Sequence, residues 1–310
     1  MAEYQLDPKK IHFQWNNALA PAIRIDPGDV VHCWTQEVSN GQVTPESDAS
    51  ILANVDFDNI YPLAGPIYVN GAQPGDALEV EMLSLKPDDW GWTGILPGLG
   101  LLSEEFTEPY LKHWDLSDGR TTTLRDGVVI PLQPFCGTMG VAPAEPGDHF
   151  VLPPGNFGGN MDIRHLNEGC TLLLPVQVEG ALFSAGDCHA VQGDGEVCVT
   201  GIECPMSFSL RFNVRKGLNL PSPQFIVKRG RLSAHDTDAG YYATTGIGPD
   251  LMTNAQDAVW RMIDWLGREH GLEGQEAYVL CSVAGDLKIS EVVDQPNWIV
   301  SFYMPLSIFG

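Results

Sequence analysis

The sequence predicts a mainly β protein of sandwich type, with a pair of helices late in the chain. Three observations carry that prediction. Thirty-three glycines and 23 prolines are spread over 310 residues and cut the chain into short apolar segments, as the strands and turns of a sandwich or barrel do. Several segments alternate apolar and polar residues with period two. One clear stretch repeats at the helical period, and it lies beyond residue 250.

The tripeptide Pro-Gly-Asp occurs at 27–29, 74–76 and 146–148, each time just before a strand-like run (VVHCWT, ALEVEML, HFVLPP). Proline presets the turn, glycine takes a positive φ, and aspartate can bond neighbouring backbone. Ala77 to Leu85 puts Leu78, Val80 and Met82 on one face and Glu79 and Glu81 on the other. Ser207 to Val214 repeats the pattern with Phe208, Leu210, Phe212 and Val214. TLLLPVQV at 171–178 is apolar on both faces, as a buried strand is, and Pro175 implies a bulge or an edge. From Ala255 to Arg268, apolar residues at Ala255, Ala258, Val259, Met262, Ile263 and Leu266 make a helical stripe, with Gly271 at the C-terminal cap position. A second helix is expected over Glu273 to Ser282. Pro221-Ser222-Pro223 marks a boundary, dividing a mainly β portion over 1–222, which carries the site, from a C-terminal portion over 223–310 packed on it.

Seventeen basic residues against 40 acidic ones give a formal charge of −23. That field repels polyanions, so nucleic acid and anionic membrane surfaces are not expected partners, while a neutral or cationic small molecule is compatible. No apolar run is long enough for an ordinary membrane helix, and MAEYQLDPKKIHFQWNN does not read as a secretory signal. The seven cysteines form no CxxC pair. Free thiols in a reducing cytoplasm are therefore the expectation.

Chemistry concentrates in FSAGDCHAVQGDGEVCVTGIE, residues 183–203, where carboxylates flank His189. No GxSxG elbow or phosphate loop is present. Cys188 beside His189 points to the opposite face of an extended segment and makes a poor nucleophile. Asp187 and His189, at i and i+2, share a face; Glu203 lies within reach, and GGNMDIRH at 158–165 adds Asn160 and Asp162. One imidazole with carboxylates suits Zn²⁺ with a position open for water, and the oxygen-rich set also suits calcium or manganese. Bland readings stand beside this one. Asp187 and Asp194 can be turn residues, His189 a hydrogen-bonded core residue, and Asp162 the partner of Arg164 in a surface ion pair. Trp90, Trp92 and the GLGLL loop at 98–102 read as core and turn rather than substrate wall.

Longer strings carry a resemblance. GNMDIRHLNEG with LPVQVEGALFSAGDCHAVQGDGEV, YPLAGPIYVNGAQPGDALEVE at 61–81, PFCGTMGVAP at 134–143 and AYVLCSVAGDLKISEVVDQPN at 277–297 together resemble the acetamidase/formamidase family over nearly the whole chain. The resemblance implies hydrolysis of small aliphatic amides such as formamide or acetamide, a mainly β fold, a metal-containing active site and a homo-oligomer. On it, Asp162, Asp187, His189 and Glu203 hold the metal, with Zn²⁺ the expected ion. Glu37, in a less well matched segment, serves a second ion such as Ca²⁺. Glu196 or Asp194 moves the proton, while Asn160 and Gln192 bind substrate. Tyr61 stands where many relatives have His, and Ala64 where many have Thr, so the preferred amide is left open. Two rivals remain at this point: a non-catalytic metal-binding β-sandwich module, and a hydrolase of another linear amide or of a cyclic imide.

Overall fold

The computed structural model describes residues 1–100, 103–104, 107–125, 128–196, 198–227, 239–272, 274, 277 and 285–309. The first half of the chain supplies strands β1 (Glu3–Gln5), β2 (Ile11–His12), β3 (Ile23–Ile25), β4 (Val30–Thr35), β5 (Leu63–Val69), β6 (Ala77–Pro87), β7 (Trp90–Ile95), β8 (Tyr110–Asp115), β9 (Thr121–Arg125), β10 (Val128–Pro131) and β11 (Phe135–Gly140). The second half supplies β12 (Gly158–Asn160), β13 (Thr171–Pro175), β14 (Phe183–His189), β15 (Met206–Arg215), β16 (Gln224–Val227), β17 (Tyr241–Gly248), helix α1 (Leu251–His270), β18 (Asp286–Glu291) and β19 (Trp298–Pro305).

Nine strands form one sheet in the order β1-β4-β15-β6-β13-β16-β17-β19-β18, and a second sheet runs β12-β11-β14-β5-β2 with β3 also pairing β5. The two face each other across a single apolar core. Leu78, Val80, Met82, Phe208, Leu210 and Phe212 of the large sheet meet Ile67, Cys136, Met139, Phe183, Ala185 and Cys188 of the smaller one. Phe183 and Phe212 touch edge to face at 5.2 Å across the gap, a favourable aromatic geometry. Burying alternate residues of each strand from water is what holds the layers together.

The alternating segments become β6 and β15, neighbours in the middle of the large sheet. Pro175 corrects its expectation. It causes neither a bulge nor an edge but ends β13, opposite Ala77, where the pairing with β16 has already stopped at Leu173. A proline is tolerated there because the ladder asks for no further N–H on that side. The Pro-Gly-Asp turns form as expected, with positive φ at Gly28, Gly75 and Gly147. Asp29 accepts from the Asp26 N–H and Asp76 from the Gln73 N–H, whereas Asp148 accepts from Asn16.

Helix α1 is capped by Asp250, which accepts from the Thr253 N–H, and ended by Gly271 in the left-handed region. It packs on the outer face of β17 and β19, where Tyr242, Val300, Phe302 and Met304 meet Ala258, Met262 and Leu266. The intervening Tyr241, Ala243 and Tyr303 face the sandwich core, the period-two division of a strand buried on both sides. The second helix expected over Glu273 to Ser282 lies outside the described residues, apart from Gly274 and Ala277. Strands from both sides of residue 222 share the large sheet, since β13 pairs with β16. The C-terminal portion therefore extends the same layer, and β18 ends beside the site.

Candidate active site

β14 is buried along its whole length and delivers Asp187 and His189. Asp187 does not belong to a turn. It lies inside the strand with φ at +52°, opposite Gly137 of β11. A Cβ on Gly137 would sit 2.3 Å from Asp162 Oδ1 and 2.9 Å from the Asp187 carbonyl, so only glycine lets the two acidic residues approach. Asp162, also left-handed, follows β12 and is anchored by its N–H to the Gly137 carbonyl. Glu203 forms a bridge to the end of β14 at His189. Glu196 closes the 193–196 loop, which is tied to β18 through the Gly195 N–H and the Ser290 carbonyl.

His189 is the hub. Its Nε2 lies 3.0 Å from Glu203, 3.5 Å from Asp187 and 3.8 Å from Glu196, and its Nδ1 is 3.8 Å from Asp162. Gln192 decides its tautomer. The Gln192 amide donates Nε2–H to the Asp162 carbonyl and so presents Oε1 to His189 Nδ1 at 2.8 Å. Because Oε1 only accepts, Nδ1 carries a proton, and Nε2 is left facing three carboxylates, to which it offers either a second N–H or, once that proton is displaced, a lone pair for a cation. Acceptors converge there, and a proton or a metal cation satisfies them. Two buried oxygens, Asp162 Oδ1 and Glu203 Oε2, have no hydrogen-bond partner. Asp162, His189 and Glu196 form one set able to hold a metal ion, and Asp187, His189 and Glu203 form another. These residues fit a divalent ion.

Two further acids complete the cluster, and the sequence reading missed both. Asp294 is buried, accepts from Asn160 Nδ2 at 2.7 Å and lines the cavity. Glu291 takes the Val293 and Asp294 N–H groups on one oxygen and leaves Oε2 unpartnered. The available signal was SEVVDQPN, with two acids three positions apart. No Lys or Arg among the described residues pairs with any of the six carboxylates. Burial raises the Asp162, Glu196 and Asp294 carboxyls well above the usual range, and the neighbouring acids add to the shift. Burial pushes Glu203 and Glu291 up to about 7. For His189, burial opposes the charged form, but Glu203 and Asp187 outweigh it and raise its pKa.

The other expected site residues have partners of their own. Asn160 and Gln192 both make buried hydrogen bonds within the site. Asn160 links Thr138 to Asp294, and Gln192 orients His189. Glu37 is not brought into the cluster. Its Oε1 accepts from Ser39 Oγ and the Gly41 N–H, and its Oε2 from the Ser39 N–H and Trp92 Nε1. Four donors saturate both oxygens and leave none for a second ion. Asp194 is part-exposed on the opposite side, 3.9 Å from Arg164, so it is Asp194 and not Asp162 that forms this ion pair. Trp92 and Leu99, read as core and turn, line a cavity of about 520 Å³ that opens onto Asp162, Asp187, Glu196, Glu203 and Asp294.

The two-sheet sandwich thus holds a cavity that ends on buried carboxylates and one imidazole, groups able to hold a metal ion. The model of the family described as Acetamidase/Formamidase matches residues 2–150 and 149–310. The chain belongs to this family, and it is an amidohydrolase. A putative formamidase of Schizosaccharomyces pombe is 26% identical, with 96% of this chain and 90% of the relative covered. A formamidase of Methylophilus methylotrophus is 25% identical, over 97% and 89%. The crystal structure of an acetamidase from Bacillus halodurans superposes with a TM-score of 0.88 at 32% identity, covering 98% of each chain. A γ-lactamase from Delftia acidovorans aligns at 0.69 and 26% identity, covering 99% of this chain and 93% of its own.

Two outcomes follow from this geometry. Gly137→Ala displaces the Asp162 carboxylate by roughly an ångström, and amide hydrolysis is expected to fall about 100-fold or more, measured alongside metal content. After chelation, raised carboxyl pKa values mean that the folded state binds more protons than the unfolded one between about pH 4.5 and 7. Stability must then fall as pH rises through that window. Melting temperatures of the chelated protein are expected to drop from pH 5 to pH 7 and to recover when a divalent metal is added. A flat profile would contradict the buried-acid account.

Proposed function

We propose that the protein is a metal-dependent amidase that hydrolyses linear primary amides, formamide and acetamide among them, to the carboxylate and ammonia. The observation that carries this reading is His189 Nε2 converging with Asp187 and Glu203 oxygens beside the unpartnered Asp162 Oδ1. Asp162, Asp187, His189 and Glu203 hold the ion, and the nitrogen–oxygen set favours Zn²⁺. When bound, such an ion supplies Lewis acidity for the carbonyl and acidifies an attached water.

The protein's own residues do the rest. Glu196 is the proton carrier: it lines the cavity, lies 3.8 Å from His189 Nε2 and is held with φ at +46°. Burial and the Asp162 carboxylate raise its pKa, which suits a group that must take a proton and give it back. It accepts a proton from the attacking water as the C–O bond forms, then delivers it to the nitrogen as the C–N bond breaks. Gln192 keeps His189 in one tautomer throughout, and the apolar walls of the cavity limit water around the reacting carbonyl. The six cysteines among the described residues are free thiols, consistent with a reducing cytoplasm as the proposed setting.

His189→Ala is expected to abolish both bound zinc and turnover. Glu196→Gln is expected to keep the metal and lower kcat by about 10²- to 10⁴-fold. Ammonia release and elemental analysis on the two variants check the assignment, and full activity in Glu196→Gln refutes the proton-carrier role. We also propose a homo-oligomer. Met252 and Trp260 of α1 stand exposed beside Leu287 and Ile289 of β18, an apolar face of the kind a second copy covers. Sedimentation is expected to show a dimer or larger species at micromolar concentration; a monomer would exclude it.

A further inference from the structure

We propose that the site is built for amides with a bulky apolar acyl group, and that formamide and acetamide are its poor substrates. This rests on the amidase reading and deepens it by naming the substrate class. The cavity is sharply divided. Its floor carries Asp162, Asp187, Glu196, Glu203 and Asp294, while Val55, Phe57, Leu96, Leu99, Phe150 and Leu152 make up most of its walls and mouth. The amide must lie at the acidic floor, because the residues able to hold a metal are there. The acyl chain is then directed along the apolar walls toward the mouth.

Size gives the second argument. A water molecule takes a share of about 30 Å³ in the liquid, so the four heavy atoms of acetamide fill on the order of 100 Å³. The cavity measures about 520 Å³, within the range of sites that enclose drug-sized ligands. Acetamide touches the floor and little else. The rim gives the third argument. Phe57, Leu99 and Phe150 are large apolar residues exposed at the opening, Phe57 by 48% and Phe150 by 55%. Such side chains at a cavity mouth gain from covering an apolar guest.

The walls are also fixed in place. Trp92 forms one of them; its indole N–H is pinned by the buried Glu37 carboxylate, and its backbone N–H and carbonyl both pair with Glu203. The acidic floor and the apolar wall are therefore registered to each other through Trp92. Tyr61 joins them from another side. Its backbone is left-handed, and Asp294 and Asp187 lie close enough to its hydroxyl, after burial itself, to raise its pKa.

The reaction is ordinary amide hydrolysis: water adds its oxygen to the acyl carbon, the C–N bond breaks, and the nitrogen leaves with the proton. Only the acyl group changes. Burying one methylene in the apolar cavity is expected to raise kcat/KM about three- to fourfold, which places hexanamide on the order of 100-fold above acetamide. The test is the series acetamide, butanamide, hexanamide and phenylacetamide on the purified, metal-loaded protein, read as ammonia release. Val55→Trp, which fills the wall, is expected to lower the hexanamide-to-acetamide ratio of kcat/KM about tenfold or more. A series that is flat or falls with chain length, with acetamide still turned over, overturns the acyl-pocket proposal and leaves the amidase reading standing. No turnover of any amide by the metal-loaded protein overturns the amidase reading itself, and the proposal with it.

Discussion

Six carboxylates buried around one imidazole form the constraint on which the rest of this structure depends. Removing an ion from water costs several kcal/mol even after a protein relaxes around it. Six such costs exceed the whole stability of a typical domain, about 5–15 kcal/mol. The cluster therefore exists only with its charge compensated, by protons or by a metal ion. Neighbouring groups make compensation by arginine or lysine impossible to find: among the described residues the one arginine near the loop, Arg164, faces Asp194 on the far side. The raised pKa values of Glu203 and Glu291 express the same fact as a demand for protons.

That demand explains the odd backbone around the site. Asp162, Asp187, Glu196 and Tyr61 all hold positive φ values without being glycine. Conformations of this kind cost about 1–3 kcal/mol each and persist where the surroundings enforce them. Here the enforcement comes from ordinary β-sheet hydrogen bonds. β11 and β14 pair on both sides of Asp187, and the Gly137 carbonyl holds the N–H groups of Met161 and Asp162. The sandwich core supplies the rigidity, and the site draws on it.

Much of this was legible in the sequence. Alternation in 77–85 and 207–214 identified two central strands, and the stripe ending at Gly271 identified α1, because both signals follow from periodicity alone. Asp187 and His189 do converge as the i, i+2 argument required. Their means of doing so was not legible, since a left-handed aspartate inside a strand breaks the alternation on which that argument stood. The hydrogen bonds of Asn160, Gln192 and Glu37 were not legible, for one common reason. A sequence shows that a polar residue is near a site but not whether its hydrogen bonds are already spent. Glu37 looked like a spare ligand until both oxygens proved to be filled by Ser39, Gly41 and Trp92. Asp294 was invisible for the opposite reason: it reaches the cluster from about a hundred residues away, through pairing of the 193–196 loop with β18 that no local pattern announces.

The division of the cavity also bears on what enters and what leaves. A neutral amide approaches a chain of net charge −23 and an acidic floor without an electrostatic penalty, and its apolar part gains from the walls. The carboxylate produced from it has the same shape but a negative charge. It enters a poorly solvated space lined by Asp294, Glu196 and Glu203, where any of these groups that is ionised repels it with little screening. The wall that favours the acyl group acts equally on substrate and product, so it cannot by itself drive the product out. The floor distinguishes them, because hydrolysis converts a neutral guest into an anion at the place where acidic groups are most crowded. An apolar wall that holds a large acyl group therefore leaves it to the acidic floor to tell substrate from product.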